Sequence, residues 1–252
     1  MDQVTELRIE IDGQPADDQA QAIIDHDAWG HFTAMQVRDR RTRGLDLHLA
    51  RLDAAQREMY GTGLDREMIL ACIAHALGDL QDASVRVYGY WAGVIVTVRP
   101  PAELPSRPHA LASQRFQRPL ARLKHSGSWA GGYYRQLALD AGFDEALLVD
   151  QSGCISEGGI TNVGFWRDGT VVWPDAPMLA GITMLVLRRE LAVAQATDTV
   201  RLADLPCYDG MFVCNSRGWA PVGQVDDMQI PVDAKLAEVL TTAYDGAAQD
   251  SI

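Results

Sequence analysis

Side chains able to attack a carbonyl carbon as amines are scarce in this chain. Its 252 residues hold 22 lysines plus arginines, yet only Lys124 and Lys235 are lysines. Arginine keeps its proton in a protein, whereas lysine can lose one and become a nucleophile. A lysine retained where arginine is the habit points to work for a neutral amine. Lys235 lies in a polar terminal stretch, where a solvated charge is expected. Lys124 opens KHSGSWAGGYYRQLALDAGFDEALLVDQSGCISEGGITN (124–162), which closes on an acid, Glu157, in a glycine-rich stretch that reads as a turn. Two other groupings invite chemistry and offer less. Asp25-His26-Asp27 lacks a second ligand set at metal-site spacing and reads as a solvated loop. HSGSW is not the G-x-S-x-G elbow of serine hydrolases.

The stretch from Lys124, with GCISEGGITNVGFW and APMLAGIT after it, LDLHLARL (45–52) upstream and MFVCNSRGWAPV (211–222) downstream, resembles the fold-type IV pyridoxal-phosphate enzymes. These are the class IV aminotransferases: branched-chain and D-amino-acid aminotransferases, (R)-selective amine aminotransferases and aminodeoxychorismate lyases. The fragments occur in the family's order and cover most of the chain. The resemblance implies pyridoxal 5′-phosphate (PLP) as cofactor, an electron sink once its aldehyde has condensed with an amine. It implies Lys124 as the Schiff-base lysine and Glu157 as the carboxylate beside the pyridine nitrogen, where opposite charge favours the protonated ring. It implies a phosphate cradle at Gly181-Ile182-Thr183, where a loop enters a helix and free N–H groups meet the positive end of the dipole. Arg51 would grip the phosphate with its fork of donors, and Ser216 would add a hydroxyl.

Two departures leave the activity open between transfer and lysis. Transaminating relatives often carry tyrosine five residues after the lysine; here that place holds Trp129, which can donate but not accept. Tyr133 or Tyr134 offers a substitute hydroxyl. Aminodeoxychorismate lyases also lack that tyrosine, and Lys124-His125 looks like theirs. Yet the second threonine of the lyases' strand is alanine in Phe32-Thr33-Ala34. The expected activity is amino transfer between a small amine or amino acid and a keto acid. The alternatives are a lyase releasing pyruvate and a degraded relative that keeps the fold for binding. Arg107-Pro108-His109 is similar to the Arg-x-His carboxylate trap of D-amino-acid aminotransferases, at a much shorter separation from the lysine. His31, Gln36, Trp29, Met35 and Trp129 are pocket-wall candidates by position. The resemblance also implies a homodimer.

These residues need elements to hold them. LRIEI (7–11) and HFTAMQVR (31–38) read as strands, with a turn at Asp12-Gly13. Residues 46–60 and 65–78 have helical spacing, with Gly61 and Gly78 as stops and Asp65 as a cap. SVRVYGYWAGVIVTVRP reads as a hairpin turning at Ala92-Gly93. The prolines of PPAELPSRP (100–108) can continue neither a helix nor a central strand, which puts a domain boundary between roughly 100 and 120. Further on, 132–141 reads as a helix stopped by Gly142, and EALLVD (145–150) as a strand turning at Ser152-Gly153. TNVGFWRDGTVVWP (161–174) reads as a strand pair turning at Asp168-Gly169. Residues 182–195 read as a helix, VRLADL as short and mixed, 211–215 as a strand, and 233–246 as a terminal helix. Strands and helices are intermixed without regular alternation, so the expected class is α+β. Combined with the resemblance, the expectation is a smaller N-terminal α/β domain (1–113), a linker (114–121) and a C-terminal barrel-like PLP-binding domain (122–252), with the active site between the domains.

Composition sets outer bounds. A chain of this length buries a substantial core. A net charge of −12 argues against nucleic acid and anionic membrane surfaces as partners. No apolar run is long enough to span a bilayer, and MDQVTELRIEIDGQ is too acidic for a signal peptide, so a cytoplasmic location is expected. Cys72, Cys154, Cys207 and Cys214 form neither a CxxC pair nor a zinc spacing. They read as buried free thiols, and no metal is expected.

Overall fold

A computed structural model describes residues 8–11, 13–15, 29–91 and 93–252. The Asp25-His26-Asp27 grouping, Asp12 and Ala92 lie outside the described residues. The chain divides into two compact units. One comprises residues 1–103, 123–127 and 248–252; the other comprises 104–122 and 128–247. The division is therefore not a single cut, because the short segment carrying Lys124 belongs with the N-terminal unit.

The first unit is built on a mixed-length antiparallel sheet. Its strands are β1 (Arg8–Ile11), β2 (Gln14–Pro15), β3 (His31–Val37), β5 (Ala83–Tyr90) and β6 (Gly93–Arg99), in the order β2-β1-β6-β5-β3. A small ladder pairs β4 (Arg41–Arg43) with β16 (Gln249–Ser251). Helices α1 (Leu45–Tyr60) and α2 (Arg66–Leu77) supply the apolar cover. Gly61 ends α1 at a φ of 76°, a conformation that L side chains resist. The Asp65 side chain accepts from the Glu67 and Met68 amides and so caps α2. Strand β3 alternates strictly: His31, Thr33, Met35 and Val37 are buried, and Phe32, Ala34 and Gln36 are half-buried. Met35 and Val37 join Leu49, Leu52, Ile73, Val85 and Val96 in the core, so Met35 is core rather than pocket wall.

The second unit holds a nine-stranded sheet. Its strands are β7 (His109–Arg115), β8 (Glu145–Val149), β9 (Ile155–Gly158), β10 (Asn162–Arg167), β11 (Thr170–Pro174), β12 (Ala194–Asp198), β13 (Gly210–Asn215), β14 (Gly218–Val225) and β15 (Met228–Gln229). The order is β12-β11-β10-β13-β14-β7-β8-β9, with β15 on β14. The sheet curls, and β9 packs against β10 and β11, which is the barrel-like form expected. Helices α3 (Trp129–Asp140), α4 (Ile182–Glu190) and α5 (Ala234–Gly246) flank it, with a 3-10 turn at Leu202–Cys207. Asp168 and Gly169, both at positive φ, form the tight turn joining β10 to β11.

Three further expectations need correction. The helix expected over 182–195 ends at Glu190, because Ala194–Asp198 runs parallel to β11 and spends its backbone hydrogen bonds there. Glu157 lies on a buried strand rather than in a turn, paired with Leu148 of β8. Of the four free thiols only Cys72 and Cys214 are buried; Cys154 is half-buried and Cys207 exposed. No described helix is long and apolar enough to cross a membrane.

Candidate active site

Lys124 is placed by backbone pairing in the first unit. The Phe32 amide donates to the Lys124 carbonyl at 2.8 Å, and the Ser126 amide donates to the Gly30 carbonyl at 2.7 Å. His31 and His125 form an antiparallel bridge. The segment 124–126 therefore extends the sheet beyond β3. In that register Lys124 stands opposite Phe32 and on the same face. Its Nζ lies 4.8 Å from the Phe32 ring centroid. The Tyr88 ring stacks on Phe32 from β5 at 5.4 Å, and the Arg86 guanidinium lies 5.7 Å from the same Phe32 centroid. One sheet face thus carries an amine, two aromatic rings and a second cation. Arg86 reaches the Tyr88 hydroxyl at 3.4 Å and has no carboxylate partner among the described residues.

The opposite face of β3 meets α1. There Arg51 Nη2 donates to the Thr33 hydroxyl, and Thr33 Oγ1 lies 2.6 Å from His48 Nδ1. Arg51 Nε is fully shielded from solvent and meets no acceptor among the described residues. Burial pulls the guanidinium down to about 10. His48 is buried, and its pKa is held well below the usual imidazole value, first by burial and then by the charges of Arg51 and Lys124. His31 is buried too, its Nε2 2.6 Å from Gln56 Oε1, and burial lowers its pKa. Alternation places His31 and Gln36 on opposite faces of β3. Gln36 is committed to structure: its amide donates to Ser84 Oγ, and its carbonyl accepts from the Ala102 amide.

In the second unit Glu157 is buried and accepts from Arg118 Nε at 3.0 Å, from Arg118 Nη2 at 3.4 Å and from the Leu179 amide at 3.1 Å. Asn162, five residues on, donates Nδ2 to the Leu179 carbonyl at 2.7 Å. Both faces of one peptide residue are therefore clamped from SEGGITN, which fixes the loop leading into α4. Gly181 precedes that helix with no side-chain cap on its first amides, and its Cα packs so closely on Asn162 Oδ1 that a Cβ has no room. The start of α4 thus offers N–H groups without capping side chains, the usual setting for an anion. Ile182 and Thr183 are buried in its first turn. The Thr183 hydroxyl donates to the Asn215 carbonyl at 2.6 Å, so its one proton is already committed. Ser216 sits in the turn that follows β13, beside the Arg217 amide's bond to Asn215 Oδ1.

The remaining candidates stand in other settings. Trp129 is the exposed first residue of α3, edge-on to Tyr133, and Trp29 is exposed. Arg107 is bound by Asp144 through both terminal nitrogens, and His109 lies 3.3 Å from the Pro105 carbonyl. Sequence reasoning did not single out Arg118, and although Thr33 and His48 lie in stretches it quoted, it assigned neither a part beside Arg51. Arg118 meets its partner across 39 positions, and Thr33 and His48 converge only once β3 and α1 pack. Among the described residues no cluster of acids, histidines and cysteines could hold a metal.

Residues 30–225 match the family model described as amino-transferase class IV. A probable branched-chain-amino-acid aminotransferase of Rickettsia typhi is 29% identical over 111 residues. That match covers 41% of this chain and 38% of the relative, so the chain aligns with well under two thirds of the relative's length. Among solved structures, a fold IV-transaminase from Curtobacterium pusillum superposes with a TM-score of 0.79 at 21% identity, covering 94% of this chain and 98% of that one. A putative 4-amino-4-deoxychorismate lyase from Legionella pneumophila gives 0.76 at 17% identity, covering 86% and 90%. These two likenesses establish the shared fold.

Proposed function

The chain belongs to the class IV aminotransferases, and on that premise we propose that it transfers an amino group between a small amine or amino acid and a keto acid, using PLP attached at Lys124. PLP is the cofactor of this family. The residues present suit it. Among the described residues Arg51 is a largely shielded cation with no acid partner and an unpartnered Nε; leaving such a charge uncompensated is costly unless an anion answers it. The start of α4 adds uncapped amides for a phosphate, and Gly181 lets the backbone approach closely. A carboxylate has about four acceptor positions; Arg118 and Leu179 occupy three on Glu157, which leaves one for a ring N–H.

Bound PLP supplies the electron sink that lets a proton leave the substrate carbon. The protein's part falls to named groups. Lys124 would supply the attaching amine and would carry the proton. Phe32 gives that amine an aromatic floor. Glu157, held by Arg118, bonds the ring nitrogen. Arg51, the Ile182 and Thr183 amides and Ser216 would hold the phosphate. Arg86, on the same face as Lys124 and without an acid partner among the described residues, would take a substrate carboxylate, which favours amino and keto acids over simple amines.

The observation that carries this reading is the backbone pairing of 124–126 with β3, which fixes the Lys124 amine over Phe32. A donor screen on the PLP-loaded protein tests it. Loss of visible absorption on adding an amino acid, and its return on adding a keto acid, is the expected result. No spectral change with any donor contradicts it. Lys124-His125 keeps the lyase reading in play, and pyruvate release without an acceptor would establish it instead. Failure to bind PLP at high concentration would favour the degraded relative.

We also propose a homodimer. Trp129, Tyr133 and Leu137 are exposed at four-residue spacing on α3, a ridge that a second copy would cover. Light scattering should give twice the chain's mass, and Tyr133→Asp should shift it towards the monomer. A monomer in the wild type would refute the assembly.

A further inference from the structure

We propose that Thr33 and His48 are positioning residues for Arg51: the Thr33 hydroxyl, aimed by His48, sets which edge of the guanidinium is left for an anion. The inference rests on the reading of Arg51 as the phosphate-holding cation and names what holds Arg51 itself.

Arg51 can only donate, so Thr33 Oγ1 must accept from Nη2. The hydroxyl then has one hydrogen to give, and His48 Nδ1 stands 2.6 Å away to receive it. His48 can receive it because it is neutral, for burial and two neighbouring positive charges oppose a second ring proton. The proposal places the ring proton on Nε2, which leaves Nδ1 to accept. With the ring proton on Nε2 the bonds run from Arg51 through Thr33 to His48; of the three, Arg51's part as donor is fixed by its chemistry. The remaining Arg51 donors, Nε among them, meet no acceptor among the described residues. A buried arginine is ordinarily steered by a carboxylate, which would also neutralise it. Here a neutral pair steers it and leaves its full charge for the ligand.

The chain's geometry makes each part replaceable separately. Thr33 lies on β3 and His48 on α1, one helical turn before Arg51. Thr33→Val keeps the shape and removes the acceptor. Thr33→Ser keeps the acceptor. His48→Leu removes the group that aims the hydroxyl.

The test compares binding of PLP with binding of pyridoxal, which has the same ring and aldehyde without the phosphate. Each is titrated into the cofactor-free protein and followed by absorbance. Thr33→Val should weaken PLP binding by about tenfold, the worth of a hydrogen bond to a charged group, and leave pyridoxal binding unchanged. Thr33→Ser should keep both affinities. His48→Leu should lower the preference for PLP in the same direction, and it serves if Thr33→Val does not fold. Equal losses for PLP and pyridoxal would overturn the proposal, since only general damage does that. So would an unchanged preference in Thr33→Val and His48→Leu alongside a lost preference in Arg51→Gln; that pattern would leave the reading of Arg51 standing. If Arg51→Gln keeps the preference, the phosphate reading of Arg51 falls, and the proposal with it.

Discussion

Arg118 Nε lies 3.0 Å from Glu157 Oε1, and both side chains are about nine-tenths shielded from water. Such a pair gains little over an apolar pair of the same shape, yet removing one member strands the other charge. Arg118→Met should therefore destabilise the fold by about 3–5 kcal/mol, read as a lower urea midpoint. The double variant Arg118→Met with Glu157→Gln should recover much of that loss. If the single variant melts like the wild type, the pair does not hold Glu157 in place.

Glu145 gives the protein a pH dependence of its own. It is buried on β8 beside Arg135, whose Nε lies 3.7 Å away, and burial pushes its carboxyl up from 4.5 to about 7. The folded state therefore binds this proton more tightly than the unfolded chain does. Its contribution is fully present below about pH 4.5 and is lost as pH rises through about 7. The loss is on the order of 3 kcal/mol. Glu145→Gln should flatten this part of the stability profile, measured by denaturation across that window. An identical slope in the variant would show that other groups set it.

Gly181 tests the cradle at the start of α4. Its φ is an ordinary −66°, so alanine there meets no backbone strain, only Asn162 Oδ1 against the new Cβ. Relieving that clash means moving Asn162 off the Leu179 carbonyl. Gly181→Ala should cost about 1–3 kcal/mol of stability and weaken PLP binding more than pyridoxal binding. Equal affinities for both ligands in wild type and variant would remove the helix start from the phosphate site.

Much of the fold was legible from local pattern. The alternation in HFTAMQV, the glycine stops at Gly61 and Gly142, the Asp65 cap and the Asp168-Gly169 turn all match the structure. Their signals lie within a few residues of the effect. The misreadings share the opposite property. LAVAQ continues an apolar helical pattern, but the free edge of β11 draws residues 194–198 into a strand. SEGG looks like a turn until β8 is present to pair with it. Arg118 could not be singled out among so many arginines, because only the folded sheet brings it to Glu157. The motif residues point to a chemistry; Arg118 beside Glu157, and Thr33 and His48 beside Arg51, are contacts between separate elements that no local pattern announces.

The attachment point is the claim on which the proposed chemistry stands, and the scarcity of lysine makes it directly measurable. PLP-loaded protein is reduced with borohydride, digested with trypsin and mapped by mass. Only Lys124 and Lys235 can carry the label as side-chain amines. One phosphopyridoxyl group is expected on the peptide spanning residues 123–135, and none in a Lys124→Ala variant. Label confined to Lys235, or no stable label in the wild type, would contradict it.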